Sequence, residues 1–455
     1  MTKKITLIGA GSAQFGMGML GDIFLTPALK GSHISLLDIN KEAVEWVKDK
    51  TQQHIDNHGL DFTVSATLDR KEALKDADFV IISIEVGNRF DLWDIDWNLP
   101  QQYGIRQVYG ENGGVGGLFH ALRITPPILE ICDDINDICP NAWVFNYSNP
   151  MSRICTTVLR KYPNMNFVGM CHEIASLERY LPKILNIDFE DLNIKAAGLN
   201  HFSVLLEATY KDSGKDAYAD IRRLAPEYFG EKAIGYSDIW DYYKKTGNLE
   251  DTENYAFRSE LPVDKPSRQW TDRGLFKEIL EKFNYLPITV DSHFGEYIGW
   301  AYDKVDHKGI LDFYDFYRIC LGQMEPKIHD DVRHERATFI MEALITGEEY
   351  TEPAVNIANK GAIRNLPDWI VVEVPAIVSK NGLKAVEVDM PASIGGLLSN
   401  QVGIHDLNAK AILEGSKEAV IQAILVDPVT ITNNKVDEMV DAMIDRQAPW
   451  LDYLK

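Results

Sequence analysis

Short apolar runs alternate with longer amphipathic segments along the first third of the chain. Five runs have the length of strands: residues 5–8, 34–37, 79–84, 143–147 and 167–170. The amphipathic segments between them, such as 41–54 and 124–138, have the length of helices that cross from one parallel strand to the next. This alternation predicts an α/β fold built on a doubly wound parallel sheet.

The pattern changes after about residue 199. Two helical segments rich in acidic and aromatic residues, 220–229 and 239–245, replace the rhythm of strands. Two β-branched runs then predict an added strand pair, and two helices close the chain; the four segments are 370–374, 384–388, 409–426 and 436–445. We therefore predict a nucleotide-binding domain over residues 1–199 and an α+β substrate and oligomerisation domain over residues 200–455.

Charge and cysteine content narrow the classes of function. The 46 basic residues against 68 acidic ones give a net charge of -22, which disfavours nucleic acid and anionic membranes as partners. The five cysteines have no C-x-x-C spacing, so neither a disulfide framework nor a zinc finger is indicated. No apolar stretch approaches the roughly 20 residues that span a bilayer. We expect reduced thiols and a cytoplasmic location.

A glycine-rich turn follows the first strand. Gly9, Gly11, Ser12, Gln14 and Phe15 lie where a Rossmann-like turn brings its backbone and the next helix onto a pyrophosphate, although Gln14 replaces the usual third glycine. The second strand ends at Asp38, where a carboxylate can bind the adenosine ribose and repel the extra phosphate of NADP. The combination predicts an NAD site.

Two candidate metal ligands follow apolar runs. Cys171 closes the fifth predicted strand, and His201 ends the run that contains Leu199. One cysteine and one histidine would leave coordination positions open for a substrate, as a catalytic metal requires. A buried cysteine can equally be an apolar filler, and a lone histidine can be an ordinary buried polar group. Spacing alone leaves both readings open.

Several separated motifs, in order, resemble glycoside hydrolase family 4. They are the turn at 9–16, Glu111 with glycines 113–117, the run 146–150, Cys171-His172, the run 198–201, and the segments 355–361 and 372–376. The resemblance implies a fold akin to lactate and malate dehydrogenases, retained NAD⁺ and a divalent ion, usually manganese. It implies that Cys171 and His201 bind the metal. The implied chemistry is oxidation at C3 of an α-hexoside, deprotonation at C2, elimination and water addition.

The resemblance also implies roles for other side chains. Asp291 resembles the base that removes the C2 proton, and His172 is implied to handle a proton or contact the sugar. As an alternative, Asp291 would cap the helix that begins after it. The implied sugar contacts are Glu111, Asn149, Asn200, His293 and Glu296; any of these could instead satisfy buried backbone groups.

The four residues 171–174, Cys-His-Glu-Ile, most resemble the α-galacturonidase branch, which carries valine at the last position. Alternatives within the family are an α-galactosidase and an α-glucuronidase. An acidic sugar near Glu173 is disfavoured unless the Glu173 side chain points away from it or a basic partner intervenes. Candidates for this partner are Arg89, Arg123, Arg153 and Arg268.

Two functions of other classes would also use the glycine turn. An NAD-dependent dehydrogenase of a sugar acid needs no metal ligand, and neither does a noncatalytic NAD-sensing protein. The resemblance favours the glycosidase, with a small glycoside as its partner and a homodimer or homotetramer as its assembly.

Overall fold

The computed structural model describes residues 2–11, 13–171, 173–232, 235–248, 273–323 and 326–455. Its strands are Lys4–Ile8 (β1), His33–Leu37 (β2), Thr63–Thr67 (β3), Phe79–Ile82 (β4), Trp143–Asn146 (β5), Asn166–Gly169 (β6), Leu192–Leu199 (β7), Phe202–Tyr210 (β8), Leu286–Pro287 (β9), Tyr350–Ala358 (β10), Val371–Ser379 (β11) and Gly382–Ala385 (β12). Within the described ranges these strands form one sheet.

Helices cover this sheet. Their bounds are Ala13–Phe24 (α1), Lys41–His58 (α2), Arg70–Leu74 (α3), Arg89–Gln102 (α4), Gly114–Ile138 (α5), Met151–Lys161 (α6), Ser176–Leu185 (α7), Tyr218–Glu227 (α8), Tyr236–Thr246 (α9), Gly274–Phe283 (α10), Asp291–Phe294 (α11), His307–Gln323 (α12), Ala337–Thr346 (α13), Ala392–Glu414 (α14), Lys417–Val426 (α15), Val436–Arg446 (α16) and Ala448–Leu451 (α17). None of the described helices combines the length and the apolar character that crossing a bilayer requires.

The first half of the sheet is parallel, with the strand order β3-β2-β1-β4-β5-β6. The predicted Rossmann-like α/β fold is thus confirmed. Chain order reverses between β1 and β4, and such a reversal opens a crevice at the carboxyl ends of the strands. The prediction missed edge strand β3, where burial is partial and no continuous apolar run marks the strand.

The second half is antiparallel and continues the same sheet. β10 lies beside β6, β11 follows it, and the β7–β8 hairpin comes next. The predicted strand pair is present as β11 and β12. The hairpin crosses residue 199, and the division into two domains at that residue stays a prediction.

One predicted helix was wrong. The segment 409–426 belongs to two helices, α14 and α15. Gly415 ends α14 at a φ of +66°, in the left-handed region, and the Ser416 side chain then accepts a hydrogen bond from the backbone of Ala419. A C-terminal glycine followed by an N-cap serine stops one helix and starts the next.

One row of paired residues crosses the junction of the two halves. Gly169 pairs with Asn356, Asn356 with Glu373, and Glu373 with Gly198. A side chain at Gly198 would meet the backbone of the returning strand β8 at 2.5 Å, so this position requires glycine. The row thus holds the end of β6 and the turn between β7 and β8 at the same end of these neighbouring strands.

Candidate functional site

A cleft of about 640 Å³ opens at the carboxyl ends of the first parallel strands. Gly9 and Asp38 line it, as the sequence predicts for the nucleotide site. The Asp38 carboxylate accepts a hydrogen bond of 2.7 Å from the backbone of Gly11. Gly9 has a φ of +86°, and a Cβ there would lie 2.0 Å from the carbonyl oxygen of Ser83, so only glycine fits.

The nucleotide-binding roles of Gly9, Gly11 and Asp38 stay predictions, and so do those of Ser12, Gln14 and Phe15. Ser12 lies outside the described residues. Gln14 and Phe15 lie in the first turn of α1, where their side chains are not described. The glycine turn lines the cleft at Gly9 and leads into α1, which begins at Ala13. A helix that begins beside a cleft in this way can bind an anion through its first backbone amides.

Cys171 follows the end of β6, and His201 lies close to it, in the turn between β7 and β8. The Cys171 sulfur lies 3.5 Å from Nε2 of His201. With a carboxylate oxygen of Glu173, their ligand atoms all lie within 4.8 Å of one another. His201 has a φ of +61°, and its backbone N–H donates to Glu173 at 2.5 Å, which holds the β7–β8 turn in place. The fold thus brings together the two predicted metal ligands, which are 30 residues apart.

Both candidate ligands are uncharged in the absence of a cation. Burial, with a smaller contribution from His293, lowers the pKa of His201 well below its usual range, so the imidazole is neutral. Burial, followed by the carboxyl groups of Glu373 and Glu173, raises the pKa of the Cys171 thiol. A bound divalent ion would favour the thiolate and use the neutral imidazole, so the donor set fits a metal such as manganese or zinc.

A second charged group adjoins His201. The His201 ring stacks on the His293 ring, and the two ring centroids are 4.1 Å apart. Nε2 of His293 lies 3.2 Å from one Glu111 oxygen, and Arg89 donates to the other at 2.6 Å. Burial favours the neutral acid, but the hydrogen bond from His293 and the charge of Arg89 outweigh it and lower the pKa of Glu111. Glu111 and His293, two predicted sugar contacts, therefore lie beside the candidate metal ligand.

Glu296 supports the loop that carries Glu111. Its carboxyl group accepts hydrogen bonds from the backbone of Glu111 at 2.6 Å and of Asn112 at 3.2 Å. The Asn112 amide in turn lies 2.9 Å from Nδ1 of His201. These bonds make Glu296 a positioning group, and its predicted contact with sugar stays a prediction.

We expect the cation-free protein to lose stability as the pH rises, in part through Glu296. Burial, and then the charge of Glu111, raises the pKa of Glu296 to about 8, against about 4.3 for an unfolded glutamate. The folded state therefore binds the proton more tightly, and the stability that this proton gives is full below about pH 4 and lost by about pH 8. In urea unfolding between pH 5 and 8, Glu296→Gln should show a shallower decline than wild type. Parallel profiles would contradict this assignment.

Glu173 belongs to a buried polar group behind the candidate ligands. Its carboxyl accepts from the backbone of His201 and from the Ser203 hydroxyl at 2.8 Å. The Asn200 amide donates to both Glu173 and Glu373. Burial and the neighbouring Glu373 raise the pKa of Glu173, so this pair shares a proton. The carboxyl group that was expected to repel an acidic sugar is therefore engaged within the protein.

The alternative prediction for Asp291, that it caps the helix beginning after it, was wrong. The Asp291 carboxylate accepts from the backbone of Leu275 at 2.8 Å and of Phe276 at 3.1 Å. It thus caps α10, which precedes it, while α11 begins at Asp291 itself. Its role as a base stays a prediction, and His172 lies outside the described residues.

The remaining predicted groups are placed as follows. Asn149 follows β5, and its side-chain oxygen accepts from the backbone of Met151. Arg123 forms a buried ion pair with Asp96, and the Arg153 Nε donates to the Asn112 carbonyl. Arg268 lies outside the described residues. The contact of Asn149 with the sugar therefore stays a prediction. Among the described candidate arginines, Arg89 donates a hydrogen bond to Glu111, which is itself a predicted sugar contact.

Comparison with known proteins identifies the family. Residues 4–187 match the model of family 4 glycosyl hydrolases, and residues 196–430 match the model of their C-terminal domain. An alpha-glucosidase of Erwinia rhapontici is 61% identical over the whole of both chains. An alpha-galacturonidase of Thermoanaerobacter italicus is 29% identical, with 98% of this chain and 97% of that protein covered.

A solved structure shows the same fold. It is a 6-phospho-alpha-glucosidase from gut microorganisms in complex with NAD and Mn²⁺, 20% identical, with a TM-score of 0.76 and full coverage of both chains. The two family models together span most of this sequence, and a relative of high identity covers all of it. The chain therefore belongs to family 4 of the glycosyl hydrolases.

Proposed function

We propose that this enzyme hydrolyses α-linked glucosides and uses NAD⁺ and a divalent cation, manganese by preference. The observation that carries the proposal is the meeting of the Cys171 thiol and the His201 imidazole beside Glu111 and His293. The assembly of the enzyme as a homodimer or homotetramer and its cytoplasmic location stay predictions.

Two sites would hold the cofactors. The cleft at Gly9 and Asp38 has the volume and the helix terminus that NAD⁺ needs, and Cys171 with His201 would hold the cation. The related enzyme solved with NAD and Mn²⁺ supports this assignment. When bound, these groups supply reversible oxidation of a sugar hydroxyl and Lewis-acid polarisation of the adjacent oxygens.

The chain's own residues would position the sugar and move protons. The Glu111 carboxylate, held by Arg89, and the His293 ring would bind sugar hydroxyls beside the candidate metal ligands. Asp291 stays the proposed base.

The α-glucoside replaces the α-galacturonide as the first choice of substrate. The relative named alpha-glucosidase is 61% identical, whereas the relative named alpha-galacturonidase is 29% identical. Arg89 and Arg123 are each paired with a protein carboxylate, whereas the terminal nitrogens of Arg153 have no hydrogen-bond partner among the described residues, so Arg153 remains the candidate partner of an acidic sugar among the three described arginines. The Cys-His-Glu-Ile sequence keeps the α-galacturonide as the second candidate.

A panel of aryl α-glycosides tests the substrate. The purified enzyme would be given the glucoside, galactoside, glucuronide and galacturonide with NAD⁺, Mn²⁺ and a reducing agent. We expect turnover of the glucoside, dependent on both cofactors and without net NADH. Preferred cleavage of the galacturonide would overturn the glucoside, and stoichiometric NADH would favour the dehydrogenase.

We expect Asn112 to control cation binding through His201. The structure places the amide nitrogen of Asn112 2.9 Å from Nδ1 of His201. If the amide turns over on metal binding so that its oxygen accepts from Nδ1–H, the proton stays on Nδ1 and Nε2 is left for the metal. Asn112→Ala should then weaken Mn²⁺ binding by about 10–100-fold, while Asn112→Asp, which keeps the acceptor, should retain it. Equilibrium dialysis measures both variants. Equal weakening in both would contradict this role.

A further inference from the structure

A second cluster of metal-ligating side chains lies in the segment 326–336, between α12 and α13. His329, Asp331 and His334 each offer a ligand atom, and these atoms all lie within 4.8 Å of one another. The cluster shares no residue with the Cys171–His201 pair, and it packs against α1. The Asp331 and His334 side chains are 68% and 57% exposed, so a cation could reach them from solvent.

The hydrogen bonds of His329 leave one ring nitrogen available as a ligand. Its Nε2 lies 3.0 Å from the carbonyl oxygen of Gly18 and 3.1 Å from a carboxylate oxygen of Asp22, both on α1. These two acceptors favour a proton on Nε2 and a lone pair on Nδ1. Nδ1 is buried and has no hydrogen-bond partner among the described residues. It faces a carboxylate oxygen of Asp331 at 3.4 Å.

The distances within the cluster match a tetrahedral ion. Ligand atoms about 2.1 Å from such an ion lie about 3.4 Å from one another. The separation from Nδ1 of His329 to Asp331 is 3.4 Å, and that from Asp331 to Nε2 of His334 is 3.8 Å. Two of the three separations between ligand atoms are therefore close to the tetrahedral value, and the third is within 4.8 Å.

Asp22 supplies the outer support that such sites need. Its buried carboxylate accepts from the backbone of His334 at 2.8 Å and of Glu335 at 2.6 Å, and it orients the His329 ring. A carboxylate behind a histidine ligand fixes the ring and raises its basicity. The same group thus fixes the ring of one ligand and the backbone of another.

We propose that His329, Asp331 and His334 bind a divalent transition-metal ion of the zinc class, separate from the catalytic cation. Two imidazole nitrogens select such an ion over magnesium or calcium, which prefer oxygen ligands. The ion would join three side chains within the segment 326–336, which contacts α1, the helix that begins at the nucleotide cleft, through Nε2 of His329. A proton on Nδ1 of His329 is the competing occupant.

The experiment uses the full chain in a Cys171→Ser background, which removes the thiol of the other site. Chelator-treated protein is dialysed against zinc at pH 8, where the proton competes least, and bound zinc is counted. We expect one tight equivalent. His334→Ala and Asp331→Asn should each weaken this binding by more than the roughly 100-fold that loss of an outer-shell partner can cause. The matched controls are His58→Ala and Asp330→Asn, two exposed residues of the same types outside the cluster.

Thermal unfolding gives an independent readout. Zinc should raise the Tm of the Cys171→Ser protein and of both controls but leave the Tm of the two ligand variants unchanged. The zinc-free Tm of all variants should agree, because the replaced side chains are exposed. Equal zinc content in ligand variants and controls, or no tight zinc in the Cys171→Ser protein, would overturn the proposal. Neither result depends on glycosidase activity, so this site and the proposed function fail separately.

Discussion

Replacing Cys171 with serine should lower kcat/KM for the aryl α-glucoside by about 10³-fold or more. The thiolate is one of two side chains proposed to hold the catalytic cation, and a metal acting as a Lewis acid is worth several kcal/mol in the transition state. Serine keeps the size of the side chain but is a poor ligand for a transition metal. Initial rates at saturating NAD⁺ and Mn²⁺ measure the loss.

Two controls separate this loss from damage to the fold. Cys139→Ser changes a cysteine at the end of α5, away from the site, and should retain activity. The Cys171→Ser protein should keep its Tm and its affinity for NAD⁺, because Gly9 and Asp38 lie at other strands. Activity within tenfold of wild type would remove Cys171 from the metal site.

The parallel half of the fold could be predicted from short-range patterns in the sequence. Each of its buried strands is a short apolar run, and the run before Cys171 placed that residue at the edge where ligands gather. The glycine turn was likewise a local signal, and the structure places Gly9 in the lining of the cleft, where a Cβ would clash with Ser83. These signals are local, so one sequence was enough to recognise them.

The support of the site depends on contacts between distant parts of the chain. Asn112 reaches His201 across 89 residues, and Asn200 reaches Glu373 across 173. Asp291 caps α10, a helix that precedes it, by accepting hydrogen bonds from backbone amides 15 and 16 residues earlier, which no local cap motif reveals. One sequence signal of these buried contacts was available: a charged residue inside an apolar run, such as Glu373 in β11, because a buried carboxylate needs hydrogen-bond partners.

Glu173→Ala should destabilise the protein by about 3 kcal/mol or more, whereas Glu173→Gln should change its stability by less than about 1 kcal/mol. Alanine leaves the backbone N–H of His201 and the Ser203 hydroxyl without their acceptor, and each buried orphan costs about 1–3 kcal/mol. Glutamine keeps an acceptor for these donors and can donate to Glu373 in place of the shared proton. Urea unfolding at pH 7 in the presence of a chelator measures both changes.

The same pair of variants tests whether Glu173 acts on the sugar or on the protein. If the carboxyl group serves only to hold the β7–β8 turn, Glu173→Gln should keep the Mn²⁺ affinity and the order of preference in the glycoside panel. A gain of galacturonide cleavage in Glu173→Gln would mean that its charge faces the substrate. Since its contacts are to His201, Ser203 and Asn200, we expect the preference to stay unchanged. The sugar specificity would then depend on residues in front of the metal ligands, such as Glu111 and His293.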